Sequence, residues 1–197
     1  MTFDKTQFGM AEALWREWND KINVVSRKDI DNLYEHHILH SLAIAEYLSR
    51  TGRSADGMSI LDVGCGGGFP GIPLAMAMPE ARFTLCDSIG KKIRVAQAVA
   101  DGLGLSNVVC VNARAESLPG RFDWIVSRAV TSLDNFYPWV KGKYSNGILY
   151  LKGGDVNAEI SDLVRKCRVN PANVSVWAIS EWLDDAYYDG KYVVEIK

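Results

Sequence analysis

The chain has 197 residues, 48% of them hydrophobic and 23% charged, and its formal net charge is -2 at pH 7. These values are typical of a soluble α/β domain with a smaller appendage, and they exclude a disordered, collagen-like or disulfide-stapled protein. The longest weakly polar run, residues 72–78, is far shorter than the roughly 20 apolar residues of a membrane helix. Residues 1–17 contain acids and no apolar segment, so we expect no signal peptide and a cytoplasmic, membrane-free protein.

The apolar pattern changes character along the chain. Up to residue 50 it has helical spacing, interrupted at 19–27, which predicts an N-terminal helical extension over 1–52 ahead of a main domain over 53–197. Beyond residue 58, predicted strands alternate with predicted helices, which favours right-handed crossovers and a doubly wound, mostly parallel Rossmann-like sheet. The predicted strands are 59–63, 82–86, 108–111, 122–127 and 147–151, and the predicted helices are 70–77, 91–102, 133–140 and 156–167.

Two further strands are predicted at 174–179 and 192–196. No helix long enough for a crossover lies between them, and Asp189-Gly190 is a hairpin-type turn. We therefore expect the last strand to enter the sheet antiparallel to its neighbours.

The glycine-rich segment 60–71, ILDVGCGGGFPG, leads from a predicted strand into a predicted helix. Glycines let the backbone approach a ligand closely, and the start of the helix offers free N–H groups. A loop in this position of a doubly wound sheet is typical of a cofactor site.

The glycines of this loop can be aligned with two cofactor motifs. Gly66, Gly68 and Gly71 fit the G-x-G-x-x-G spacing of NAD(P)-dependent oxidoreductases, which is a weak match on its own. The other register, Asp62-x-Gly64-x-Gly66-x-Gly68, resembles the first motif of S-adenosylmethionine methyltransferases. Asp62 suits the ammonium group of S-adenosylmethionine better than a pyrophosphate, so we favour that cofactor and keep the oxidoreductase as an alternative.

Three more candidate positions follow the next strands. Asp87 ends the second strand, where a carboxylate can accept both hydroxyls of a ribose. Ala115 and Glu116 follow the third strand, where the adenine ring lies in such folds. Arg128 ends the fourth strand, beside the expected reacting centre, and we predict a catalytic role for it.

The residues that are missing restrict the chemistry. The fourth strand ends Ser127-Arg128-Ala129-Val130, without the Asn/Asp-Pro-Pro motif of many amino-group methyltransferases. We interpret the four cysteines as packing residues, and we expect no metal because no Cys-x-x-Cys pair or third ligand accompanies the histidines. The remaining acceptor is one that is already nucleophilic, such as a ring nitrogen, for which alignment and exclusion of water suffice. The cysteines are Cys65, Cys86, Cys110 and Cys167, and the histidines are His36, His37 and His40.

Taken together, these motifs resemble the RsmG (GidB) family of S-adenosylmethionine-dependent methyltransferases. The most specific part is 62–73, with Gly-Phe-Pro-Gly-Ile-Pro after the glycine loop, supported by 87–88, 114–116 and 127–129. The resemblance implies methylation of N7 of a guanine in 16S ribosomal RNA, within the small ribosomal subunit, by a protein expected to be a monomer. It also implies a cofactor site lined by Gly64, Phe69, Ala115, Glu116 and Arg128, with Asp87 at the ribose.

The expected RNA side departs from the family pattern. Where the family has Arg-His-Ile-x-Asp-Ser, this chain has His36 and His40 in place of the Arg and the Asp, which motivates a second alternative, a non-catalytic S-adenosylmethionine- or RNA-binding protein. Lys91, Lys92 and Arg94 open a predicted helix, an unfavourable place for like positive charges. We therefore predict that these three residues face RNA phosphates.

Overall fold

A computed structural model describes residues 3–197, and a seven-stranded sheet forms its centre. The strands are β1 Ser59–Val63, β2 Arg82–Asp87, β3 Val108–Asn112, β4 Phe122–Arg128, β5 Tyr144–Gly153, β6 Val174–Ala178 and β7 Lys191–Ile196. Their order across the sheet is β3-β2-β1-β4-β5-β7-β6. All neighbouring pairs from β3 to β5 are parallel, while β7 is antiparallel to both β5 and β6. The predicted doubly wound sheet with an antiparallel last strand is confirmed.

The helices cover both faces of this sheet. They are α1 Gly9–Lys21, α2 His40–Arg50, α3 Gly71–Ala77, α4 Gly90–Gly102, α5 Leu133–Val140 and α6 Val156–Cys167. A π-helical turn, Tyr34–Leu39, runs directly into α2. Helix α1 extends to Lys21, into the segment predicted to separate the first two helices. The turn that follows is held by Asn19, whose Oδ1 accepts hydrogen bonds from the backbone N–H groups of Val24 and Val25 at 2.8 and 2.9 Å.

The N-terminal helices do not stand apart from the sheet. Trp15, Ile38 and Leu42 are fully buried in the same hydrophobic cluster as Phe83 and Leu85 of β2. The boundary that we expected at residues 52 and 53 falls in the connection between α2 and β1. Because the extension shares this core, its side chains can help to build a site at the edge of the sheet.

No helix within residues 3–197 is long and apolar enough to cross a membrane. In the same part of the chain, no three His, Cys, Asp or Glu side chains are grouped so that they could hold a metal ion.

Candidate active site

A cavity of about 960 Å³ opens where the parallel strands end. Its walls come from the loops that follow β1 to β5, together with the π-helical turn and the segment before β7. Ligands of doubly wound folds bind outside the carboxyl ends of the strands, where the direction of crossover reverses, and here that point lies between β1 and β4. The cavity is therefore the candidate active site.

The glycine loop forms one wall of the cavity. Gly64 and Gly66 line it with positive φ angles of 70° and 55°, a conformation that favours glycine. A Cβ atom on Gly64 would lie 2.4 Å from Cγ2 of Val130, whereas a Cβ on Gly66 would meet no protein atom within 4 Å. Gly68 does not line the cavity, and its backbone packs against Ile72 instead. The cradle for a ligand is thus made by the first part of the loop.

Asp62, which we predicted to face the ligand, lies behind the glycine loop and is not among the residues that line the cavity. Side chains alternate along β1, so Asp62 points to the same face of the sheet as Ile60, into the packed interior. It is fully buried, and its Oδ2 accepts a hydrogen bond from the N–H of Gly71 at 2.7 Å. Burial raises the pKa of this carboxyl to about 8. Asp62 holds the loop and the start of α3 together.

Asp87 is both a cavity residue and a brace for the loop. Its Oδ2 accepts from the N–H of Gly66 at 2.9 Å, and its Oδ1 accepts from the N–H of Ile89 at 2.8 Å. Each carboxylate oxygen has a second lone pair, so the group can still accept hydroxyl donors from the cavity. Ala115, which is buried, and Glu116, which is exposed, line the cavity beyond it.

Arg128 extends from the end of β4 into the cavity and is held there from behind. Its Nη1 donates to the backbone oxygen of His36 at 3.1 Å, and its Nη2 approaches Nδ1 of His37 at 2.9 Å. The guanidinium carbon lies 5.1 Å from the ring centroid of Phe69. Burial lowers the pKa of Arg128 to about 10, so it remains a cation at neutral pH. Among residues 3–197 it forms no ion pair with a carboxylate.

His37 and Asp29 complete this support. The guanidinium can only donate, so Nδ1 of His37 accepts and Nε2 carries the proton that is donated to Oδ2 of Asp29 at 2.7 Å. Burial, followed by the charge of Arg128, lowers the pKa of His37 to about 4. The other Asp29 oxygen lies 2.5 Å from Nδ1 of His36. Sequence reasoning missed Asp29, because an isolated acid in a loop carries no local signal.

Tyr187 and Lys191 form a third wall, also missed from the sequence. The Tyr187 ring stacks on His36 with a centroid distance of 3.5 Å, and the Lys191 ammonium lies 3.7 Å from the Tyr187 centroid in a cation–π contact. His40 is buried beside them, and burial lowers its pKa well below the usual value. His36 and His40 are therefore part of a packed aromatic wall.

Phe69 connects the glycine loop to the N-terminal extension. Its ring stacks on Trp15 at a centroid distance of 4.2 Å, and Trp15 Nε1 donates to the backbone oxygen of Gly67 at 2.8 Å. Phe69 also lines the cavity. Trp15, which lies on α1 and does not line the cavity, thus holds the glycine loop from the outside.

The loop after β4 is fastened by side chains from β5. The hydroxyl of Tyr150 accepts from the N–H groups of Val130 and Thr131 at 3.0 and 3.1 Å, and Nζ of Lys152 donates to the oxygen of Thr131 at 3.0 Å. Lys152 also forms a 2.9 Å ion pair with Oε2 of Glu159. Glu159 and Lys152 line the cavity.

The predicted RNA-contact residues separate in the structure. Lys92 is half-buried at the rim of the cavity, whereas Lys91 and Arg94 are exposed on α4 and do not line it.

Cys65 and Cys86 do line the cavity, but burial raises the pKa of the Cys65 thiol well above its usual value and that of Cys86 to about 11. Neither is a thiolate at neutral pH, so neither is an activated nucleophile.

Comparison with known proteins shows which family this chain belongs to. A family model described as rRNA small subunit methyltransferase G (GidB) matches residues 10–181. The ribosomal RNA small subunit methyltransferase G of Flavobacterium psychrophilum is 50% identical over 199 residues, covering 97% of this chain and 90% of the relative. Its counterpart in Cytophaga hutchinsonii is 47% identical over 198 residues, covering 96% and 90%.

A solved structure supports the fold independently. Magnesium protoporphyrin IX methyltransferase (ChlM) from Synechocystis PCC 6803 with bound SAH superposes with a TM-score of 0.66 at 14% sequence identity, covering 98% of this chain and 97% of that one. The sheet is therefore of the Rossmann-like methyltransferase type. Since the family model spans most of the chain and the sequence relatives match over nearly their whole length, the chain belongs to the rRNA small subunit methyltransferase G (GidB) family.

Proposed function

We propose that this protein transfers the methyl group of S-adenosylmethionine to N7 of a guanine in small-subunit (16S) ribosomal RNA. The observation that carries the proposal is the cavity itself, in which the glycine loop and Asp87 on one side face Arg128 and the loop after β4 on the other. The glycine spacing also fits an NAD(P)-dependent oxidoreductase, but membership of the family favours methyl transfer.

The residues present fit S-adenosylmethionine. Gly66 has no side chain and no protein atom within 4 Å of the position of a Cβ, so a ligand can lie against its backbone. Asp87 offers carboxylate lone pairs where a ribose would lie. Gly64, Phe69, Ala115 and Glu116 would line the cofactor, with Arg128 beside its reactive end. When bound, S-adenosylmethionine supplies an electrophilic methyl group on a sulfonium. Asp62 and Gly68 act from behind, by holding the loop.

An N7 acceptor agrees with the side chains around the cavity. Guanine N7 has a lone pair and no proton, so its methylation needs no general base and no thiolate. The two cavity cysteines are held as thiols, and His37 is neutral with its lone pair engaged by Arg128. Arg128 bonded to both O6 and N7 would block the attack, so we assign it to O6, a phosphate or the cofactor.

The RNA is expected to approach over Lys92 and the exposed Lys91 and Arg94. With a net charge of -2 and only 7 basic against 4 acidic residues in 82–128, the protein has little general attraction for free RNA. We therefore propose that the substrate is RNA shaped within the small ribosomal subunit, and that the protein acts as a cytoplasmic monomer.

The test is incubation with methyl-labelled S-adenosylmethionine and small ribosomal subunits that lack the modification, followed by digestion to nucleosides. Label in 7-methylguanosine is the expected result, with slower labelling of the same RNA stripped of protein and of a short loop oligonucleotide. Cofactor binding without transfer to any RNA would favour a non-catalytic binding protein. Label in another nucleoside would contradict the N7 assignment.

A further inference from the structure

The cavity has two halves, and the proposed cofactor accounts for one of them. The ends of β1, β2 and β3 contribute the glycine loop, Asp87 and Ala115. The ends of β4 and β5 and the helices α5 and α6 that follow them contribute a second set that the cofactor motifs leave unexplained: Arg128, Thr131, Trp139, Lys152 and Glu159. Arg128 of β4 is paired with Leu151 of β5. Glu159 of α6 contacts both Lys152 of β5 and the N–H of Leu133 at the start of α5, so these elements form one wall.

Among the described residues, Glu159 is the one carboxylate that lines this half of the cavity. Its Oε2 accepts from the N–H of Leu133 at 2.9 Å and pairs with Nζ of Lys152 at 2.9 Å. No described residue in 3–197 makes a hydrogen bond to its Oε1. The side chain is therefore fixed through one oxygen, while the other is available in a cavity-lining residue.

A fixed carboxylate is chemically suited to one nucleobase edge. Ionised glutamate only accepts hydrogen bonds, and guanine offers two adjacent donors, N1–H and the N2 amino group, on the edge away from N7. Adenine lacks a proton at N1, so a carboxylate does not suit it. A base whose N1–N2 edge faces Glu159 would turn N7 towards Gly64 and Arg128 on the other side of the cavity. Trp139, on the same side as Glu159, offers an aromatic surface on which the base can stack.

Resting on the proposed function, we infer that Glu159 is the specificity-determining residue for guanine, accepting from the N1–H and N2 amino group of the acceptor base. Lys152 and the N–H of Leu133 are positioning groups that hold its Oε2. Reading of a base through its Watson–Crick edge is the usual means by which enzymes select an extruded base.

The test compares two acceptors that differ by a single amino group. Small subunits are reconstituted with either guanosine or inosine at the target position, which is located by nuclease-fragment mapping of the labelled RNA, since inosine lacks only the N2 amino group. We expect kcat/KM of the native protein to be roughly 10- to 100-fold lower for inosine, as for loss of a hydrogen bond to a charged group. In Glu159→Gln this ratio should fall to within about threefold of one.

The matched control is Asp155→Asn, an acid-to-amide change at the start of the same helix. Asp155 caps α6 by accepting from the N–H of Ala158 at 3.1 Å and does not line the cavity. This variant should keep the native guanine preference. A purely structural role of Glu159 would slow both substrates equally and leave the ratio unchanged.

An unchanged ratio in Glu159→Gln, or no discrimination by the native protein, would overturn the inference. If Glu159→Gln methylates neither substrate, its affinities for the guanosine and inosine subunits are compared in the presence of S-adenosylhomocysteine, and a ratio equal to that of the native protein would again overturn the inference. An unchanged cofactor affinity shows that the variant is folded. Failure of the native protein to label any guanine would instead overturn the proposed function.

Discussion

Arg128 donates a hydrogen bond from Nη2 to Nδ1 of His37 over 2.9 Å, and this contact fixes the histidine as a neutral Nε2–H tautomer. The proton on Nε2 is directed to Asp29. Protonation of His37 would place a second N–H against the guanidinium, which adds to the effect of burial in lowering its pKa to about 4. The cation of the active site is thus supported by a ring that must stay neutral.

This pairing predicts a pH-dependent stability. Between pH 6.5 and about 4 the unfolded chain binds a proton at His37 that the folded protein does not, so the free energy of unfolding falls as the pH falls through this window. The slope is roughly 1.4 kcal/mol per pH unit from this residue. His37→Gln, whose amide can accept from Arg128 and donate to Asp29, should lose that part of the slope. Denaturant unfolding at about pH 4.5 and 6.5, near the two ends of this window, measures the change in the free energy of unfolding with pH. An equal change in the native protein and in His37→Gln would refute the role assigned to His37.

Gly66 and Gly57 provide a matched pair for the cofactor loop. Both have positive φ, 55° and 68°, and a Cβ on either would meet nothing within 4 Å, but only Gly66 lines the cavity. Each change to Ala should cost about 1 kcal/mol of stability through backbone strain. Only Gly66→Ala should also weaken S-adenosylmethionine in a calorimetric titration, because its methyl group enters the ligand's space. Equal affinities of the two variants would contradict this placement.

Asp87→Ala should weaken S-adenosylmethionine by roughly 1–3 kcal/mol, since hydroxyl donors of the ligand lose their acceptor. It should also destabilise the fold, because the N–H groups of Gly66 and Ile89 lose theirs. Asp123→Ala is the control: Asp123 likewise accepts hydrogen bonds, including those from the N–H and hydroxyl of Ser59, outside the cavity. If both variants bound the cofactor equally well, the ribose would lie elsewhere.

Asp62→Asn tests the role of Asp62 as a brace. With the native pKa raised from 3.8 to about 8, the folded protein binds a proton that the unfolded chain has released, so this group lowers stability as the pH rises through that window. The amide can still accept from Gly71. We expect the variant to gain stability relative to the native protein between pH 5 and 7, values roughly inside the window, with little change in cofactor affinity. A large drop in the affinity of Asp62→Asn for S-adenosylmethionine would instead indicate that Asp62 contacts the cofactor directly.

Lys91→Ala combined with Arg94→Ala tests the outer basic surface. Both side chains are exposed and outside the cavity, so S-adenosylmethionine affinity should not change. RNA affinity should fall, and the slope of its logarithm against log salt should shrink by about 1 for each phosphate that the protein no longer neutralises. The pair Arg165→Ala and Lys166→Ala on α6 is the control and should leave the slope unaltered. An unaltered slope in the first pair would make α4 an ordinary solvated surface.

The sequence by itself determined the layers of this protein and the place of its site. Helices α5 and α6 begin and end where their apolar spacing predicts. Gly64, Asp87 and Arg128, which were singled out because each lies at or directly after a strand end, all line the cavity. These are local signals: side-chain periodicity and backbone conformation depend on neighbouring residues, which the sequence displays directly. Parallel strands then bring their carboxyl ends to one edge.

Only the tertiary structure decided which side chains meet in that site. Asp29 reaches Arg128 through His37, and Tyr187 stacks on His36 across 151 positions of the chain, so no local pattern announces either contact. The contact of Asp62 has the same origin, because its Oδ2 meets the N–H of Gly71 at the start of α3 only after the glycine loop has folded back over β1. Hydrogen bonds between distant side chains depend on distances and angles that exist only once the sheet and its covering helices have packed.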